Sequence, residues 1–384
     1  MEERSMAAGE NRKGRVFLRV LVKALALLVV FNLVFALAYP ALVPGSWTLY
    51  NRLFPGRERF PFGENPAEAY NFSLYNLDAM FASLALNAAP KAENEFRVLV
   101  IGDSSAWGTL LHPEETLAGQ LDALALQTCD GRTVRVYNLG YPTLSLVKDL
   151  MLLDRAKAYR PDLIVWPVTL EAFPRSRQLD SPIVANNAGQ VQKLIAKYNL
   201  PLDSFDPALR TPNFWERTII GQRRNLADLL RLQLYGVMWA ATGIDQAYPA
   251  TFTPAARDLE ADSAFHDWEG PSIPADGLAL ELVSAGIGMA YPAPVLLVNE
   301  PILISTGKNS NIRYNFYYPR WVYGQYREQM ARASQASEWN YVDFWNLVPQ
   351  EEFTNTAIHL SPRGVGMLRD ALVHPLLSLA CGEK

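Results

Sequence analysis

Two side chains in this sequence make a reactive pair if folding brings them together: Ser104, in the run Gly102-Asp103-Ser104-Ser105, and His359, in Ala357-Ile358-His359-Leu360-Ser361-Pro362. A serine hydroxyl attacks a carbonyl only when a base takes its proton, and a neutral imidazole suits that task. The small residues after Val100 let the chain turn sharply and present the Ser104 hydroxyl at a helix entrance, where the serine's own N–H is placed to hold an anion. Serine at such a place also serves simply as a helix cap, which is the commoner use. Pro362 suits the first position of a helix, so His359 falls on the loop entering it. The other histidines, His112, His266 and His374, have surroundings that suit a loop or a helix face. A third run, Asn138-Leu139-Gly140-Tyr141-Pro142, offers the backbone N–H of Gly140 to a substrate oxygen, or only a turn.

The elements that must position these residues read as an alternation. Arg97-Val98-Leu99-Val100-Ile101 is a short unbroken apolar run ending at Gly102, the pattern of a buried parallel strand. A helix is expected from about Glu115 to Gln127, a strand at Val134 to Asn138, and a helix from about Leu144 to Tyr159. A third strand follows at Leu163 to Val168, after Pro161-Asp162. Strand and helix in turn imply an open parallel α/β sheet, whose reactive groups sit in loops beyond the carboxyl ends of the strands. The rhythm stops over 174–290, read as a helical insertion with helical spacing near Gln190 to Tyr198 and Trp215 to Ala241. It resumes with a strand at Pro294 to Val298, a helix near Arg320 to Ser337, a strand at Tyr341 to Phe344 and a last helix from about Pro362 to Leu379.

The chain has 384 residues, 49% of them hydrophobic, with 35 Lys and Arg against 39 Asp and Glu. This supports a sizeable core and gives no overall field toward nucleic acid. The two cysteines have no CxxC spacing, which argues against structural zinc. Residues 16–43 are almost wholly apolar, long enough for a helix to cross a hydrocarbon core of roughly 30 Å. Arg4, Arg12, Lys13 and Arg15 precede this run, so residues 1–15 are expected in the cytoplasm and everything after Pro44 outside it. Ala36-Leu37-Ala38 leaves a cleaved signal peptide as the other reading. Residues 44–94, with Pro44, Pro55, Pro61 and Pro66, read as a stalk wrapping the domain 95–384, with a short helix near Leu77 to Leu86.

In order and spacing, Gly102-Asp103-Ser104, Asn138-Leu139-Gly140 and His359-Leu360-Ser361-Pro362 together resemble the GDSL or SGNH hydrolase superfamily, over roughly residues 96–173 and 293–380. The resemblance implies a flavodoxin-like three-layer sandwich around a central parallel sheet, with Ser104 as nucleophile and His359 as general base. It further implies Gly140 as an oxyanion donor, Asp103 as a brace of the loop, and neither metal nor organic cofactor. Two places depart from the family pattern. Where it has an oxyanion-holding asparagine, this chain has Glu171, whose carboxylate would repel an oxyanion. Thr169 and Ala172 flank it, and Thr169 is the substitute donor. Where the family has an aspartate three residues before the histidine, this chain has Thr356, preceded by Asn355, and Asp343 is another source of a carboxylate.

In such a sheet the helix preceding Cys129 and the one preceding Cys381 are neighbours ending on the same side, so an exported domain would permit a disulfide between them. Leu226 to Ile244 is either a core helix of the insertion or an amphipathic lid facing the bilayer or a membrane partner. The expected function is a membrane-anchored extracytoplasmic esterase or O-acyltransferase acting on an acylated cell-envelope glycan or lipid. Its expected partners are the bilayer and, by resemblance to anchored relatives, a membrane-bound O-acyltransferase. The alternative is a non-catalytic accessory or glycan-binding protein that keeps the hydrolase scaffold.

Overall fold

Five parallel strands form one sheet in the order β2-β1-β3-β4-β5. They are β1 (Glu95–Gly102), β2 (Thr133–Gly140), β3 (Leu163–Val168), β4 (Val295–Asn299) and β5 (Asn340–Asp343). The structure is a computed structural model and describes residues 2–39, 48–60, 77–243 and 251–382. Every residue of β1, β3 and β4 is buried, so these strands read as continuous apolar runs because both faces are covered. β1 and β2 stay in register to their last rung, Gly102 opposite Gly140.

The pleat divides the core in two. Leu99, Ile101, Ile164, Trp166 and Leu297 point into one layer with helices Leu146–Ala156, Leu280–Ala290 and Arg320–Ala336. Val98, Val100, Val165, Leu296 and Val298 point into the other with helices Leu117–Ala123 and Pro362–Ala380. This is the three-layer, flavodoxin-like arrangement, with the crevice for ligands beyond the carboxyl ends of the strands.

Several elements differ from expectation. The helix expected from Glu115 is a 3-10 turn at Pro113–Glu115 followed by a helix over Leu117–Ala123 only. Thr116 caps the helix by accepting the N–H of Gly119, and Ala125 with φ 46° carries the chain away from it. Helix Leu280–Ala290, which falls within the range read as an insertion, covers the sheet instead, with Gly286 against the Trp166 ring. Trp215 lies in a turn, and the helix expected to start there runs over Arg223–Thr242. It is not a core helix: Leu232, Gly236 and Ala240 are buried, but Leu230, Leu234 and Met238 are exposed. Its end agrees with the expected Ala241, while Ile244, the expected end of the apolar stretch from Leu226, lies outside the described residues.

Within the segment 44–94, Arg59 packs against the turn that follows β1. Arg59 is fully buried and donates to the carbonyls of Gly108 at 2.8 Å and Leu111 at 2.7 Å, while its guanidinium lies 3.9 Å over the Trp107 ring. A Cys129–Cys381 disulfide, Cα–Cα 5.3 Å, links the segment between helix Leu117–Ala123 and β2 to the end of helix Pro362–Ala380. Among the described residues one helix, Lys13–Ala38, is long and apolar enough to cross a membrane.

Candidate active site

The carboxyl ends of β1 and β2 carry the site. Gly102 has φ 148°, and a Cβ there would stand 2.9 Å from that of Ala106, so the turn into the short helix Ser104–Trp107 requires glycine. Asp103 caps this helix by accepting the N–H of Ser105 at 2.8 Å. The Ser104 side chain remains partly exposed, and its N–H has no acceptor among the described residues.

His359 comes from the opposite side of the rim. Its loop is pinched shut by the bridge between Phe353 and Leu360, and Thr354 N–H donates to the His359 carbonyl at 2.9 Å. Ser361 then caps the last helix through the N–H of Gly364 at 3.0 Å, with Pro362 at its first position. This places His359 Nε2 2.7 Å from Ser104 Oγ, and Nδ1 2.8 Å from Asn355 Oδ1. With Nδ1–H donating to Asn355, Nε2 presents its lone pair to the serine hydroxyl, the tautomer a base needs. Ser104, His359 and Asn355 thus lie in one hydrogen-bonded chain, with an amide dipole where a serine triad more usually has a carboxylate.

His359 is 4% exposed, and burial lowers its pKa from 6.5 to about 4. The unfolded imidazole takes a proton near 6.5 and the folded one only near 4. Stability tied to neutral His359 is therefore full above pH 6.5 and is lost as pH falls from there through 4.

Four expected roles need correction. Thr356 does not face the imidazole; its Oγ1 accepts the N–H groups of Ile358 and His359 at 3.3 and 3.2 Å, and Asn355 holds the ring. Asp343 is bound to Arg327 and Asn299 at 2.8 Å each, at the end of β5, and supplies no carboxylate to His359. The Gly140 N–H donates to Asn138 Oδ1 at 2.9 Å, and a Cβ at Gly140 would stand 2.3 Å from Trp107 N, so this glycine allows close packing and offers no free donor. Thr169 is fully buried with its hydroxyl 3.0 Å from that of Tyr318, out of reach of a substrate oxygen. The Glu171 carboxylate, for its part, is paired with Arg177 at 2.5 Å and with His266 at 2.9 Å.

Beneath Ser104 lies a buried polar cluster that the motifs do not announce. Lys148 is fully buried, donates to the carbonyls of Gly102 at 2.5 Å and Tyr141 at 3.3 Å, and pairs with Asp149 at 2.5 Å. Asp149 in turn accepts from Trp166 Nε1 on β3 at 3.1 Å, so one ion pair ties the ends of three strands. Glu300, just past β4, accepts the hydroxyl of Ser105, and burial first and the Asp103 charge second raise its pKa well above the usual range. The sequence does carry a signal for Lys148 and Asp149, since they are charged residues inside a run that is otherwise apolar on every face.

Asn355 touches the imidazole and not Ser104, so its replacement tests the arrangement separately from the hydroxyl. Asn355→Ala is expected to lower kcat for ester hydrolysis by about 10 to 100-fold with little change in KM. Asn355→Asp is expected to move the acid limb of the rate profile to higher pH, because a carboxylate stabilises the imidazolium. A pH–rate profile of Asn355→Asp superimposable on the native one would remove Asn355 from this role.

The fold and site together define a flavodoxin-like α/β protein with a serine and histidine pair at the rim of its sheet. Among solved structures, the chain is similar to the native M. smegmatis aryl esterase at TM-score 0.34 and 14% identity, covering 74% of this chain and 99% of that one. It is similar also to a carbohydrate acetylesterase from Sinorhizobium meliloti at TM-score 0.33 and 15% identity, with the same two coverages, 74% and 99%. Likenesses this distant define no substrate. No protein-family model matches the sequence. No curated protein matches it either.

Proposed function

We propose that this chain is a membrane-anchored serine esterase or O-acyltransferase of the SGNH kind, acting outside the cytoplasm on an acylated glycan or lipid of the cell envelope. The observation that carries the reading is the 2.7 Å contact of His359 Nε2 with Ser104 Oγ, with Nδ1 held by Asn355. Ser104 Oγ attacks the acyl carbonyl carbon while its proton passes to His359 Nε2, and the Ser104 N–H receives the oxyanion. As the tetrahedral species collapses, the ester C–O bond breaks and the alcohol leaves with the proton from Nε2. A water molecule or a second hydroxyl then repeats the sequence on the acyl-serine, releasing an acid or a new ester.

Two features set the chemistry apart from a triad with a carboxylate. The imidazolium forms in a buried place beside a neutral amide, so each proton transfer is more costly than it would be with aspartate. The free base, in turn, persists far into acid. Hydrolysis of an activated acetyl ester is expected to keep its kcat/KM down to an acid limb at about pH 4. A limb near 6.5 would show that His359 titrates as an exposed imidazole, contrary to this account. Transfer is separated from hydrolysis by adding a glycan acceptor and measuring acylated product against free acid. The non-catalytic accessory reading has no need of the Ser104, His359 and Asn355 alignment, and that alignment favours the enzyme.

A further inference from the structure

We propose that the insertion over 213–242 is a second membrane-seated element, its apolar surface lying in the outer leaflet against lipid acyl chains beside the anchor helix. This rests on the membrane-anchor part of the proposed function and extends it to a different part of the chain.

The depth follows from one hydrogen bond. Asn32, in the apolar helix, is 7% exposed, and its Oδ1 accepts the N–H of Ile220 at 3.1 Å while its Nδ2 donates to the Leu28 carbonyl at 2.8 Å. Ala36, one turn further on, is fully buried, whereas the earlier turns from Val16 to Phe31 are exposed all round. The stretch from Arg19 to Ala38 spans about 30 Å as a helix, the thickness of a hydrocarbon core, with the basic residues left at the inner face. Ala38 then marks the outer boundary and Asn32 lies about 9 Å below it. Ile220, bonded to Asn32, is held at that depth, inside a leaflet about 15 Å thick.

The surface around Ile220 suits that place. Ile220 is 58% exposed and Trp215 71%. Between them and Leu28, Val29 and Leu33 of the anchor runs an apolar cleft of about 490 Å³. Helix Arg223–Thr242 continues the surface: its buried side, at Gly236, packs on Tyr50, and Leu230, Leu234 and Met238 form an exposed stripe at i, i+4 and i+8. Tyr235 and Arg231 border the stripe, an amphipathic aromatic and a long cation that reach the headgroup level from a helix lying in the interface. Water is a poor solvent for such a stripe, and the lipid that surrounds the anchor is continuous with it.

The test places a photoreactive p-benzoylphenylalanine singly at Leu234, at Met238, at Leu27 in the anchor and at exposed Arg332, in the full chain reconstituted into phosphatidylcholine and phosphatidylglycerol vesicles. All four positions face outward, so folding is not disturbed. Lipid adducts at Leu234 and Met238 in yield of the same order as at Leu27, with loss of adduct at Arg332, are expected. Adducts at Leu27 without any at Leu234 and Met238 would overturn the inference and leave the anchor intact. Absence of lipid adducts at Leu27 as well would overturn the anchor reading and this inference with it. Crosslinks from Leu234 to a second copy, or within the chain, would assign the stripe to protein contact and overturn the lipid assignment.

Discussion

Ser104→Ala is expected to lower kcat/KM for ester hydrolysis by at least about 10⁴-fold, because the nucleophile, the base and the orienting group act as one unit. The neighbouring serine makes the sharpest control. Ser105 carries its own hydroxyl at the same helix entrance, but that hydroxyl is bound to Glu300 and its N–H to Asp103. It has no imidazole to activate it. Ser105→Ala is therefore expected to retain most turnover at pH 7 and to lose stability on the order of 1 kcal/mol, the net worth of a hydrogen bond to an acidic group. Steady-state kinetics of both variants decide between the two hydroxyls. Loss of activity in Ser105→Ala with turnover preserved in Ser104→Ala would reverse the assignment.

The second large effect concerns stability. Lys148→Met keeps the apolar volume of the side chain but leaves Asp149 in the interior without its cation, and leaves the Gly102 carbonyl with the Tyr141 N–H alone. Breaking a buried pair from one side costs about 3 to 5 kcal/mol. The double variant Lys148→Met, Asp149→Asn is expected to recover a large part of that loss, since no uncompensated charge remains. Thermal unfolding in detergent measures both. A loss below about 1 kcal/mol in the single variant would mean that the buried pair does not hold the strand ends together.

How much of the fold is legible in the sequence depends on what the signal is made of. β3 is readable to its ends because a strand buried on both faces is an unbroken apolar run, here bounded by Pro161-Asp162 on one side and Thr169 on the other. Helix Leu280–Ala290 is not, since it is apolar nearly all round and holds Gly286 and Gly288, so neither period nor propensity marks it. Helix Arg223–Thr242 is legible at its end but not at its start, and not in which face is covered, because its partner Tyr50 lies far away in the chain.

At the site, Ser104 and His359 are legible through the order of their blocks. The role of Asn355 is not, because the one-residue difference between Thr356 and Asn355 is set by a hydroxyl turned onto the backbone N–H of His359. The commitment of the Gly140 N–H has a visible cause in the asparagine two residues before it, a spacing that favours a local side-chain turn. Glu300 carries no motif and acquires its meaning only from three-dimensional proximity to Asp103, whereas Lys148 stands out as a charge in an apolar run but shows its partner, the Gly102 carbonyl, only in the fold.

The central claim is that one hydroxyl, activated by one imidazole, becomes covalently acylated. Incubating the full chain with a fluorophosphonate and mapping the adduct by peptide mass spectrometry tests it at a single atom. The account predicts one adduct, on Ser104, absent from Ser104→Ala and strongly slowed in His359→Ala. Modification at any other residue, or an unmodified Ser104 in the native protein, would contradict it.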